Sequence, residues 1–431
     1  VKQIGIIGIA LGLASALGIV FLGLTARWLT PNDNAAFITL WGVIFAGGSV
    51  FSSIEQHAAR RISFAHENVT HEGHEIFRFI AIFAVGTALV LVPLGFFGWH
   101  TIFLRDSLLL TLVAIAYFGF IIQFALRGTL LGFQRECHYA AVILIEALAR
   151  LVILVICVVI GVNANLHLAV CATVIGSFAW VPFTGIIRRF TSQPAPALPS
   201  TSDPSPRADE PPHPMSLPPT SLIETIRNAL VLTGANGLLA CVLTGYPAVV
   251  SATIGSSMGL AVLFSVITIS RVPLVLMSPI QALVIPYTSR AIREGRRTDL
   301  SRQQVTLGLG IAGALVPTAL LGWLIGPWLI TLVFGPHYAA PAWLVSLLLS
   351  ATVVLAGALL LASTLVSLGN YAHVMLTWAT TLLLTVVSIQ FFPARPEIRG
   401  AVGFVVASVV AFVVSMLLVR SGLRIGKPAD Q

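Results

Sequence analysis

The sequence predicts an all-α polytopic membrane protein with about 12 transmembrane helices in two six-helix halves, related by a pseudo-two-fold axis along the membrane normal. Three observations predict it. Hydrophobic residues make up 57% of the chain and charged residues 9%, against about 25% charged in soluble domains. A bilayer core about 30 Å thick takes roughly 20 apolar residues per helix, and the 431 residues divide into a dozen such runs between short polar breaks. Near its middle the chain changes composition abruptly.

The first run, 4–25, follows Lys2 and continues through "FLGLTARWLTP". It is long and lacks an A-x-A-like cleavage pattern, so it reads as a retained helix rather than a signal peptide. The turn "WLTPNDNAAFITLW", from Trp28, leads into a second run at 35–54. Runs at 76–98, 107–131, 139–162 and 166–187 complete six. The stretch "TSQPAPALPSTSDPSPRADEPPHPMSLPPT" then holds ten of the 24 prolines and almost no large apolar residue. It cannot build a core, and its default reading is a flexible cytoplasmic tether. Next, "SLIETIR" offers Ser221 and Glu224 as a capping box for a helix entering the membrane. Six further runs follow, at 222–249, 259–286, 305–333, 340–367, 371–392 and 398–420. The expected organisation is an N-terminal half over 1–189, a linker over 190–221 and a C-terminal half over 222–431.

The halves share an order of features. "WLTPNDNAAFITLW" sits between spans one and two where "ATIGSSMGLAVLFS", from Ala252, sits between seven and eight. Spans four and five, and ten and eleven, are each joined by a Gly, a polar turn and a Tyr-Ala pair, Tyr139-Ala140 and Tyr371-Ala372. Because each half has an even number of spans the copies point the same way, which gives the axis its direction.

Lysine and arginine fix the expected orientation, because in short loops they favour the cytoplasmic side. With the N-terminus inside, the outer segments hold only Arg27, Arg105, Arg395 and Arg399. Both termini are then cytoplasmic, in a cytoplasmic (inner or plasma) membrane. The net charge of +8 fits a basic inner face against anionic membrane lipid, and no basic and aromatic pattern asks for a nucleic acid. Cys137, Cys157, Cys171 and Cys241 show no CxxC spacing, and His100, His167 and His337 fall in separate turns without metal-ligand spacing. No metal and no cofactor is expected.

Two charged features lie at membrane depth. In "IEALARLVI", Glu146 and Arg150 stand four residues apart, on one helical face where they can pair. An intramembrane ionisable residue costs roughly 2.5–3.5 kcal/mol at the helix centre and usually faces a bundle interior or a wet cavity. One reading is a self-satisfied ion pair. The other turns the pair toward a hydrated cavity between the halves, where Glu146 steadies Arg150 and its guanidinium suits a phosphate. Arg271, in "FSVITISRVPLVLMSPIQALVIP", has no carboxylate within one turn and is followed by Pro273, Pro279 and Pro286. It needs an anion, backbone carbonyls or Glu146. Glu55, beside Gln56 and His57, reads as a cytoplasmic-rim residue pairing Arg60 or Arg61 rather than as a coupling residue that carries protons.

The turn "ARWLTPNDNAAFITL" resembles the A-R-x-L-(G/T)-P turn of polysaccharide flippases of the MOP (multidrug/oligosaccharidyl-lipid/polysaccharide) exporter superfamily, relatives of the MATE drug exporters. "TLVFGPHYAAPAWLVSLLL", from Thr331, resembles their L-F-G-x-x-Y-x-x-A turn, and "RGTLLGFQRECHYA" the loop after their fourth span. With the twelve-span plan the resemblance covers essentially the whole chain. It departs in span seven, "NALVLTGANGLLACVLTGYPAVV", which lacks the acidic residue many such flippases carry, and in its long linker.

The resemblance implies a Wzx-like flippase with no catalytic residues, translocating a polyprenyl-diphosphate-linked oligosaccharide by alternating access. It also implies a coupling ion, H+ or Na+, and polysaccharide-assembly proteins as partners. Read from the residues, the substrate diphosphate would meet Arg150 and Arg271, with Glu146 beside them. A MATE-like multidrug or cation antiporter is the alternative, although it would want acidic residues in the cavity. A membrane glycosyltransferase or polysaccharide ligase is the remaining one, but the outer turns are short and the first of them has only Asp33, which suits a turn.

Overall fold

The computed structural model describes residues 2–64, 69–185, 222–255, 257–274, 284, 288 and 297–425. Among these residues there are helices and no strands. The first half comprises α1 (Lys2–Trp28), α2 (Pro31–Phe64), α3 (Val69–Phe97), α4 (Ser107–Gly132), α5 (Glu136–Val159) and α6 (Leu166–Gly176), which a 3-10 turn at Val181–Phe183 extends. The second comprises α7 (Leu222–Leu243), α8 (Tyr246–Ile254), α9 (Met258–Ser270), α10 (Arg297–Leu324), α11 (Gly326–Phe334), α12 (Ala342–Ser367), α13 (Tyr371–Phe391) and α14 (Pro396–Ile425).

Ten of the described helices are long and apolar enough to cross a membrane. Their outer faces are apolar: Val85, Leu89 and Val92 of α3 and Leu309 and Val316 of α10 are all exposed. In water such a belt would aggregate, and in a bilayer it is the lipid-facing surface of a multi-pass membrane protein. Inside, hydroxyls find partners on their own helices. Thr377, Thr381 and Thr385 of α13 each donate to the carbonyl one turn earlier, which satisfies polar groups where no water reaches.

The two halves repeat their helix pairings. α1 packs on α5 as α7 packs on α13; α5 on α6 as α13 on α14; α4 on α6 as α12 on α14; and α3 on α4 as α10 on α12. α2 and α4 approach closely because Gly128 has no side chain: a Cβ there would lie 2.3 Å from the Glu55 carbonyl oxygen. Between the halves, α2 touches α7, α8 and α9, while α1 touches α11.

Two expected continuous spans are broken. The run 222–249 divides at Thr244 and Gly245 into α7 and α8, bent by 70°. The run 305–333 divides at Ile325 into α10 and α11. In each case a proline, Pro247 or Pro327, stands in the first turn of the new helix, where its missing N–H costs nothing and its ring blocks continuation of the old one. The linker 190–221, with Ser221 of the expected capping box, and Pro279 and Pro286 lie outside the described residues.

Candidate functional site

A cavity of about 710 Å³ lies between the halves, walled by α1, α2, α4 and α5 on one side and by α7, α8 and α9 on the other. Arg150 and Arg271 both line it, one from each half, and so does Glu146.

Glu146 and Arg150 are 6% exposed. One Glu146 oxygen pairs with Arg150 Nη2, and Arg150 Nε donates to the Glu146 carbonyl at 3.2 Å. The other carboxylate oxygen accepts from Gln123 Nε2 of α4 at 2.5 Å. The Arg150 guanidinium carbon also stands 5.2 Å from the ring centre of Trp41 and 5.0 Å from that of Phe45, within the range of cation–π attraction. Four-residue spacing on one helix therefore makes the pair, and two neighbouring helices hold it.

Arg271 is the C-cap of α9. Its Nε and Nη2 are buried without a hydrogen-bond partner among the described residues. Glu146 accepts from Arg150 and Gln123, and neither of these two Arg271 nitrogens reaches it. A guanidinium in this position is costly unless an anion or water meets it.

Among the described residues the Glu55 carboxylate lies 3.2 Å from Arg127 of α4. The side chains of Arg60 and Arg61, its expected partners, lie outside the described residues. Glu55 also accepts from the Tyr139 hydroxyl at 2.7 Å, while Arg127 donates to that same hydroxyl at 3.0 Å. The close approach of α2 and α4 at Gly128 sets Arg127 across from Glu55. Arg127 itself lines the cavity beside Phe124, its guanidinium carbon 4.6 Å from that ring centre. Counting by sequence had placed Arg127 among the inner-loop cations. Trp41, Phe45 and Asn236 are further wall residues that the sequence reading passed over, being neutral members of apolar runs, as it passed over Gln123, which holds Glu146 without lining the cavity.

With Glu55 on Arg127 and Glu146 on Arg150, the charge of Arg271 is left in excess among the described residues that line the cavity. Among the described residues no three His, Cys, Asp or Glu side chains are grouped to hold a metal ion.

On the side of the Trp28 turn the halves are tied together. Arg27 donates from Nε to the Val333 carbonyl at 3.1 Å and from Nη2 to the Leu332 carbonyl at 2.5 Å. The Tyr338 hydroxyl donates back to the Ala26 carbonyl at 3.2 Å, and Thr39 and Ser251 share a hydrogen bond of 2.8 Å. The two turns that carried the sequence resemblance thus dock on each other.

No family model matches the chain. The uncharacterized protein Rv1510 of Mycobacterium tuberculosis is 25% identical over 408 residues, 90% of this chain and 88% of the relative. Among solved structures, a multidrug resistance MATE family transporter of the MOP superfamily, in an inward-facing conformation, aligns with a TM-score of 0.64 at 16% identity, over 96% of each chain. A MOP superfamily transporter from Pyrococcus furiosus, for which a reverse polarity of the binding pocket suggests a different function, aligns with a TM-score of 0.64 at 15% identity, over 98% of this chain and 96% of that one. From end to end, this chain has the fold of the MOP-superfamily transporters.

Proposed function

We propose that the protein is a flippase that moves a polyprenyl-diphosphate-linked oligosaccharide across the cytoplasmic membrane by alternating access. The observation that carries this reading is that Nε and Nη2 of Arg271 are buried without a hydrogen-bond partner among the described residues, in the wall of a cavity that Arg150 also lines. A diphosphate supplies the anion that Arg271 lacks, and planar guanidinium groups suit its oxygens. The glycan occupies the remaining cavity, and the hydrocarbon tail stays among the helices. The halves rock about the bound headgroup, and no bond is made or broken.

Glu146 acts in this scheme as a positioning residue that holds Arg150 in the wall. A coupling ion, H+ or Na+, finds no unengaged carboxylate among the described cavity residues, because Glu146 is committed to Arg150 and Gln123. Orientation with both termini cytoplasmic follows from the arginine distribution and belongs to the same proposal.

The competing reading is a MATE-like cation antiporter, favoured by the likeness in fold to MATE transporters. Proteoliposomes separate the two: lipid-linked oligosaccharide movement between leaflets is measured beside efflux of a cationic dye. Sugar movement without dye efflux supports the flippase. Dye efflux without sugar movement assigns the protein to the antiporters.

A further inference from the structure

A second cavity, of about 460 Å³, lies within the second half between α10 and α12, with Pro273 and Val284 on its border. Its described walls are apolar along most of their length, from Leu307 to Ala314 on α10 and from Val353 to Leu361 on α12. At one end they become polar, with Gln303, Gln304 and Thr306 facing Thr364. Gln304 is 5% exposed, and its Nε2 has no hydrogen-bond partner among the described residues. A buried amide donor left open at the mouth of an apolar slot calls for an oxygen acceptor on a molecule that is otherwise hydrocarbon.

Length and charge narrow the occupant. From Gln304 to Ala314 is ten residues, about 15 Å of helix, which is half of a hydrocarbon core about 30 Å thick. The slot therefore reaches as deep as one leaflet. Its polar end lies where the apolar stretch of α10 begins, at Arg302. Arg302 is exposed and stands one turn before Thr306 on the same side of the helix. A cation at the rim, an amide donor just below it and an apolar slot one leaflet deep match an anionic glycerophospholipid. In such an occupant the phosphate would lie at Arg302, an ester oxygen would accept from Gln304, and one acyl chain would lie in the slot lined by α10 and α12.

We propose that this slot is a specific site for one acyl chain of an anionic phospholipid. Gly310 provides the test, because it lines the slot and a Cβ added there meets nothing within 4 Å. A larger side chain at Gly310 fills the slot without disturbing the packing.

The experiment uses the full chain in nanodiscs of phosphatidylcholine carrying a phosphatidylglycerol probe with a photoactivatable acyl chain, and maps the labelled residues. The expected result is label on Ile311 and Val353. Gly310→Phe lowers it about tenfold, as displacing two methylenes would, while label on the lipid-facing Leu309 and Val316 is unchanged. Gln304→Leu lowers interior label more modestly, and a phosphatidylcholine probe labels the interior less than phosphatidylglycerol does. Equal interior labelling in Gly310→Phe, or by both headgroups, overturns the proposal. So does loss of label on adding farnesyl diphosphate, which would assign the slot to a prenyl chain.

Discussion

Glu146 grips Arg150 from one turn away on α5, and the guanidinium so held sits about 5 Å above the rings of Trp41 and Phe45 on α2. A buried ion pair of this kind has its value in what its loss leaves behind: one charge without its partner in a medium that cannot solvate it.

Replacing Glu146 with Ala is therefore expected to lower stability by about 3–5 kcal/mol. The double variant Glu146→Ala with Arg150→Leu should recover most of that loss, since it removes both charges. Thermal or denaturant unfolding in detergent micelles, arranged as a double-mutant cycle, measures the coupling. Equal stability of the two variants would show that Arg150 does not depend on Glu146.

Arg150→Ala and Arg271→Ala should both slow translocation by roughly 10-fold or more while leaving membrane insertion intact. Lysine should rescue each only in part, because an ammonium keeps the charge but not the planar pair of donors. The readout is transport rate normalised to inserted protein. Full rescue by Lys would reduce the requirement to charge alone.

The tie between Arg27 and the last carbonyls of α11 predicts a conformational effect. Hydrogen bonds from a charged group contribute about 1.5–3 kcal/mol, so Arg27→Ala should shift the closed population by roughly 10-fold or more. Spin labels at Asn163 and Arg395, exposed positions on the two halves, should then show a new, longer distance. An unchanged distance distribution would mean that Arg27 stabilises the turn without controlling the separation of the halves.

A pH effect is expected where α4 and α6 begin. Asp106 caps α4 by accepting from Leu108 N at 2.8 Å, and its other oxygen lies 2.6 Å from His167 Nε2. The His167 hydrogen bond, and then the backbone bond, hold its carboxyl below the ordinary value of 3.8. A carboxyl depressed on folding contributes stability that is fully present above its unfolded pKa and is lost as pH falls through the lower folded one. Hydrogen exchange at the start of α4 should accelerate as pH falls below about 4, beyond the intrinsic trend. Asp106→Asn should remove that extra dependence.

How much of this was legible in the sequence depends on the range of the interaction. The apolar runs and the pairing of Glu146 with Arg150 are local, set by composition and by a spacing of four residues, and both appear in the structure. The breaks before Tyr246 and Gly326 are local too. Pro247 and Pro327 marked them, but an apolar run resumes after each proline, so each stretch read as one span. Arg127 was hidden for another reason: it ends an apolar run and looks like a loop cation until the contact of α2 with α4 brings Glu55 to it. Gln123 gave no signal, since a single neutral amide among apolar residues becomes meaningful only when Glu146 is placed beside it. Arg271 was readable as a charge without a local partner, and the structure adds that it lines the same cavity as Arg150 from the other half.

The most direct measurement is the rate at which purified protein in proteoliposomes transfers a lipid-linked oligosaccharide between leaflets, compared among wild type, Arg271→Ala and Arg395→Ala. Removing a charge-assisted contact to phosphate should slow Arg271→Ala by roughly 10-fold or more, while Arg395→Ala, a change at an exposed position outside the cavity, should match wild type. A wild-type rate in Arg271→Ala would contradict an anion held in the cavity by Arg271.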